Sequence, residues 1–206
     1  MSQPGAVDEL VAVMRRLRAE CPWKREQTHR SLVRYLLEET YETVEAIDAG
    51  EDSGDWSHLA EELGDLLLQV VFHAAIAEER GEFGLDEVAR GITAKMRRRN
   101  PHVFGDVDAG GLDAEAVNDL WQQVKATEKA GRPVEDGIPS ALPALLYADK
   151  VLDRLERAGR PVTPEPVTQE PGSADLGERL LGLVAEARAA GVDPEQALRD
   201  AVRTRL

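Results

Sequence analysis

Along nearly the whole chain, apolar residues recur three and four positions apart, and no segment reads as a convincing strand. Periodicity of this kind gives each helix one stripe to bury. The expected fold is therefore all-α, an antiparallel helical bundle of four or five helices with short connections. The first helix is predicted over about Val7 to Ala19, with Leu10, Val13, Met14 and Leu17 on one side. A second runs from about Ser31 to Ala49 and ends at Gly50; a third runs from about Trp56 to Arg80 and is stopped by Gly81. Asp86 caps a fourth that reaches Arg99 before Pro101, and Asp113 caps a fifth. The segment CPWKREQTH reads as a loop broken at Pro22.

Composition narrows the function more than the fold. The 206 residues suffice for one core plus a small appendage. A net charge of −14 argues against a nucleic-acid-binding face, which needs a basic surface. Free nucleotides remain open, because a metal and a few bases reverse the sign locally. The single cysteine, Cys21, excludes an internal disulfide or a cysteine-cluster metal site and fits a reduced cytoplasmic thiol. The N-terminal segment lacks the pattern of a signal peptide, and no apolar run approaches membrane-spanning length.

Four regions are expected: a helical domain over 1–130, a connector and helix over 131–158, a proline-rich linker over 159–173 and a helical tail over 174–206. Asp193-Pro194 supplies a cap and a first-position proline for the last helix. The tail also echoes the third helix. ELGDLLLQVVFHA from Glu62 aligns without gaps to DLGERLLGLVAEA from Asp175, pairing Leu63 with Leu176, Leu67 with Leu180 and Val71 with Val184. The tail reads as a remnant second copy lacking the helix that would complete it.

Between Arg34 and Arg80 there is no Lys or Arg, yet the interval carries thirteen carboxylates. Glu38, Glu39 and Glu42 fall on one helix, and Glu62 with Asp65, three apart, on the next. Residues at three- and four-residue spacing share a face, so two adjacent helices can turn these carboxylates toward each other. Solvated helices usually interleave both signs, and pooled negative charge favours a hard divalent cation, Mg²⁺ or Mn²⁺, held by oxygen ligands. A di-iron bundle needs two Glu-x-x-His pairs; only Glu26 to His29 offers one, beside the proline loop.

CPWKREQTHRSLVRYLLEETYETVEAI, AEELGDLLLQVVFHAAIA and KMRRRNPHVFGD occur in that order. Together they resemble the MazG family of all-α nucleoside triphosphate pyrophosphohydrolases, from about Leu10 to Lys129. The resemblance makes 1–130 the catalytic domain and 174–206 a degenerate second copy. It implies Mg²⁺-dependent hydrolysis of ribo- or deoxynucleoside triphosphates to monophosphate and pyrophosphate, in the manner of an enzyme that sanitises nucleotide pools. Carried over, Glu39, Glu42, Glu62 and Asp65 are metal ligands, and Glu38 binds a second ion or orients the attacking water. Lys95, Arg99 and Lys125 fall at phosphate-binding positions, Trp121 at a nucleotide contact, and Trp23 is a further candidate for the base. Lys24 replaces the family's usual acidic residue after CPW, and Asn100 its histidine before PHVF.

The resemblance further implies that, with the metal bound, water attacks the α-phosphorus, while the bases stabilise departing pyrophosphate. Long amphipathic helices on a small unit predict a homodimer. Two rivals remain: a narrow dUTPase- or dCTPase-like hydrolase, and a nucleotide-binding regulator without catalysis.

Overall fold

A computed structural model describes residues 5–105, 111–128, 133, 136–162 and 173–205. Among them are ten helices and no strand, so the chain is all-α. It divides into two compact units, Met1–Lys125 and Ala126–Leu206. Most of the expected linker, from 163 to 172, lies outside the described residues.

The first unit comprises α1 (Ala6–Glu20), α2 (Pro22–Glu26), α3 (His29–Ser53), α4 (Ser57–Glu79), α5 (Leu85–Arg99), α6 (Pro101–Phe104) and most of α7 (Ala114–Glu128). The α3–α4 hairpin is its centre. Thr28 starts α3: its hydroxyl accepts from the Ser31 N–H, while Ser31 Oγ accepts from the Thr28 N–H at 2.9 Å. Gly50, expected to end this helix, is buried inside it. A Cβ there would lie 2.5 Å from a ring carbon of Trp56, so the glycine admits the indole instead. Termination falls to Gly54, whose φ of 76° is left-handed.

Two other boundaries differ from expectation for identifiable reasons. The predicted CPWKREQTH loop contains α2, because Pro22 occupies the first helical position, where a missing N–H costs no bond. A buried arginine holds this turn. Arg18 donates through Nη1 to the carbonyls of Lys24, Arg25 (3.1 Å) and Gln27 (3.0 Å), and through Nε to Glu79 at 2.7 Å. At α5, Gly84 rather than Asp86 is the cap; Asp86 sits in the first turn, and Glu87 accepts from the Gly84 N–H at 2.9 Å. Asp113 does cap α7, accepting from the Ala116 N–H at 2.8 Å.

The core of this unit is Met14 of α1, Leu32 of α3 and Val71, Phe72, Ala75 and Ile76 of α4, flanked by Leu10, Val11, Tyr35, Leu68 and Leu85. Beside it His29 and His73 join α3 to α4 through Nδ1 atoms 2.8 Å apart. Burial, and secondarily the neighbouring His29, hold the His73 imidazole below its ordinary pKa. Val13, expected on the apolar side of the first helix, is exposed, as are Leu37, Ile47, Leu63, Leu67 and Val70. Helix α4 is apolar on more than one side, and α1 and α3 cover only the side bearing Val71 and Phe72.

In the second unit α8 (Ala144–Arg157), α9 (Ser173–Ala189) and α10 (Pro194–Arg203) pack together around Leu152 and Val184. Arg188 ties α9 to α8, reaching Asp149, Asp153 and Glu156. Asp193 accepts from the N–H groups of Glu195 and Gln196, as the sequence predicts. The α4 echo extends to burial: Val71 and Val184 are both 1% exposed, while Leu63 and Leu176 are 51% and 53% exposed.

Candidate metal and nucleotide site

Tertiary pairing along the hairpin decides which carboxylates meet. His29 pairs with His73, and the α3 carboxylates approach those of α4 nearer the turn, so the two helices are antiparallel. Glu39, Glu42 and Glu62 each place a carboxylate oxygen within 4.8 Å of the others. Among the described residues theirs is the group with the geometry to hold an ion. Burial and then the charge of Asp65, followed by Glu42 and Glu62, raise the Glu39 carboxyl above its ordinary pKa. Asp65 thus lies close enough to act on Glu39, although the compact trio does not include it.

The donor set suits a hard cation. Three carboxylates converge without a Lys or Arg among them, Glu62 is buried, and Glu39 is destabilised in its charged form. A divalent ion relieves that repulsion with the oxygen ligands Mg²⁺ prefers. Behind the trio, Thr43 is buried and donates from its hydroxyl to the Glu39 carbonyl at 2.7 Å, fixing this turn of α3.

His58 was missed by the sequence reading. Its Nε2 lies 2.9 Å from Glu62 Oε1, one turn earlier on α4, so it orients that carboxylate. The four-residue spacing to Glu62 was the available signal.

The other expected residues occupy separate surroundings. Glu38 pairs with Arg34 at 3.2 Å. Arg99, on the last turn of α5, is buried and lies over the Trp121 ring of α7, 5.5 Å from its centroid. Lys95 is half-buried one turn earlier, and Lys125 lies one turn beyond Trp121. Trp23 is 48% exposed and meets Tyr35 in a T-shaped arrangement, ring centroids 5.9 Å apart. Lys24 extends its ammonium over both Trp23 and Phe72, 5.2 Å from each centroid. Asn100 donates from Nδ2 to the Met96 carbonyl at 2.8 Å and so closes α5. No helix among the described residues is long and apolar enough to cross a membrane.

The family model of the MazG nucleotide pyrophosphohydrolase domain matches residues 27–104, the span holding all these carboxylates. A 26.1 kDa protein of Streptomyces cacaoi is 47% identical over 96% of this chain and 79% of its own length. The nucleoside triphosphate pyrophosphohydrolase/pyrophosphatase MazG of Thermotoga maritima is 40% identical over 98% of this chain and 84% of its own. The nucleoside triphosphate pyrophosphohydrolase of Escherichia coli K12 is 40% identical, over 91% and 70% respectively. The crystal structure of a MazG-related protein from Thermotoga maritima covers 57% of this chain and 97% of that chain, with a TM-score of 0.47 and 24% identity.

Proposed function

The chain belongs to the MazG family of nucleotide pyrophosphohydrolases, and on that premise we propose that it hydrolyses nucleoside triphosphates to monophosphate and pyrophosphate with a divalent metal, Mg²⁺ or Mn²⁺. The observation that carries the reading is the convergence of Glu39, Glu42 and Glu62 across the α3–α4 hairpin, with Asp65 acting on Glu39. These four are the proposed ligands. When bound, the ion neutralises phosphate charge and lowers the pKa of water.

The protein's own groups would do the rest. Glu62 is held at a fixed angle by His58. Glu38, on the adjoining face of α3, orients the water that attacks the α-phosphorus and accepts its proton. The bond from that phosphorus to the bridging oxygen breaks, and pyrophosphate carries the charge away. Lys95, Arg99 and Lys125 bind phosphate oxygens in this reading, with Trp121 and the half-exposed Trp23 as surfaces for the nucleoside.

Two further properties go with it. Leu37 and Tyr41 of α3 and Leu63, Leu67 and Val70 of α4 are exposed on the hairpin, apolar area that a homodimer would bury. An enzyme with this activity would draw its nucleotides from the cytoplasm, which is the compartment proposed for it.

Pyrophosphate release from a panel of ribo- and deoxynucleoside triphosphates, with Mg²⁺ and with chelator, tests the proposal. Turnover is expected only with metal, and Asp65→Asn is expected to lower it at least 100-fold, on the order of a lost electrostatic contact in the transition state. A wild-type protein that releases no pyrophosphate, or an Asp65→Asn variant near the wild-type rate, overturns it.

A further inference from the structure

A triphosphate approaching Glu39, Glu42 and Glu62 brings more negative charge to a group of converging carboxylates, and a cation on α3 itself is placed to offset it. Arg99 is only 9% exposed and already lies on Trp121. The last cation before the carboxylate run is Arg34, on α3 itself. Its side chain is 71% exposed, its Nη2 is 3.2 Å from Glu38 Oε1, and its guanidinium sits 5.1 Å from the centre of the Tyr35 ring. At about 100° per residue, Arg34, Glu38, Glu42, Tyr35 and Glu39 occupy an arc of roughly 140°. Arg34 therefore flanks the carboxylate face, about 7–8 Å along the axis from Glu39 at 1.5 Å per residue. The Tyr35 ring thus lies under the guanidinium, and Trp23 meets Tyr35 in turn.

Resting on the proposed activity, we infer that Arg34 is a substrate-binding residue that grips the β- and γ-phosphates, and that Glu38 holds it ready. An exposed pair four residues apart is a weak tether. The guanidinium fork fits phosphate oxygens two at a time and gains more from a polyphosphate than from a single solvated carboxylate. Its transfer to the nucleotide leaves Glu38 without its partner at the moment a water must be oriented. Substrate binding and the freeing of that carboxylate are then one event. The same exchange would favour triphosphates over monophosphates, since Arg34 stands about 7–8 Å along α3 from Glu39 and would meet the distal phosphates of a chain bound at the carboxylates.

The test compares wild type with Arg34→Gln, Arg34→Lys and Arg16→Gln. Arg16 makes the same four-residue pair, with Glu20 at 3.0 Å on α1, and serves as the control. Calorimetric binding of a non-hydrolysable α,β-substituted nucleoside triphosphate with Mg²⁺ is measured beside that of a monophosphate, and KM and kcat are taken from pyrophosphate release. For Arg34→Gln, triphosphate binding is expected to weaken and KM to rise about tenfold, with kcat and monophosphate binding within about twofold. Arg34→Lys should fall between, and Arg16→Gln should match wild type. Arg34→Gln binding the triphosphate as wild type does, or losing both ligands equally, overturns the inference while leaving the activity intact. If the wild type binds the analogue but releases no pyrophosphate, the activity reading fails, and the binding comparison still decides Arg34. A wild type that binds no analogue overturns both.

Discussion

Replacing Glu39 by Gln should make the metal-free protein more stable, the reverse of what loss of a half-buried polar contact normally does. The carboxylate oxygens of Glu39, Glu42 and Glu62 lie within 4.8 Å of one another. Two unit charges at that separation repel by about 1 kcal/mol in water and about 3.5 kcal/mol at an effective dielectric constant near 20. Glu39 is partly solvated, so about 1–2 kcal/mol is the reasonable net gain on removing its charge, after some loss of hydrogen bonding. For a unit of this size that is a rise of about 3–8 °C in Tm with chelator present. Adding Mg²⁺ should close the gap or reverse it. The wild type gains about 2.7 kcal/mol at a hundred times its Kd, and the variant, lacking a ligand, should gain less than half of that. Thermal melts of both proteins across a Mg²⁺ titration supply the measurement. Because burial and the neighbouring carboxylates raise the Glu39 pKa in the folded state, its ionisation destabilises the fold. The gap between the two metal-free proteins should therefore narrow as pH falls through that raised value. A variant melting below wild type in chelator, or showing an undiminished Mg²⁺ shift, refutes the reasoning.

Two other outcomes follow from the packing. Gly50→Ala puts a Cβ 2.5 Å from the Trp56 ring, and the forced shift should cost about 1–3 kcal/mol, read as a lower urea midpoint with an unchanged m-value. The Arg18 guanidinium holds the Glu79 carboxyl below its ordinary value of 4.5. A carboxylate with a depressed folded pKa stabilises above its unfolded value, so the Arg18–Glu79 contribution is complete above about pH 4.5 and lost as pH falls through the folded pKa. Acid unfolding of Glu79→Gln should accordingly show a shallower stability loss below that pH than wild type; identical slopes would contradict the assignment.

Much of this was legible in the chain itself, because local chemistry wrote it. Three-residue spacing puts Glu39 with Glu42 and Glu62 with Asp65 whatever the surroundings, and Asp113 and Asp193 cap helices through bonds to residues two or three positions on. What escaped depends on neighbours distant in sequence. Gly50 looks like a stop until Trp56 is seen against it, and Pro22 looks like a break until Arg18 is found beneath the turn it starts. Periodicity also marks Leu63, Leu67 and Val70 as apolar without saying that Val71 and Phe72, on the next side round, win the contact with α1 and α3. His58 carries no sequence mark beyond its distance from Glu62.

Arg18 has a reach beyond its own burial. A five-residue helix has no independent stability, since the cost of nucleation exceeds what so few bonds return. The order of α2 is therefore inherited from one guanidinium, which gathers the three carbonyls at its end and is itself anchored to Glu79. Trp23 rides on that helix. The orientation of its indole is thus governed from α1, by a residue outside the carboxylate cluster. Drift in sequence at Arg18 or Glu79 would retune that indole and leave Glu39, Glu42 and Glu62 where they stand.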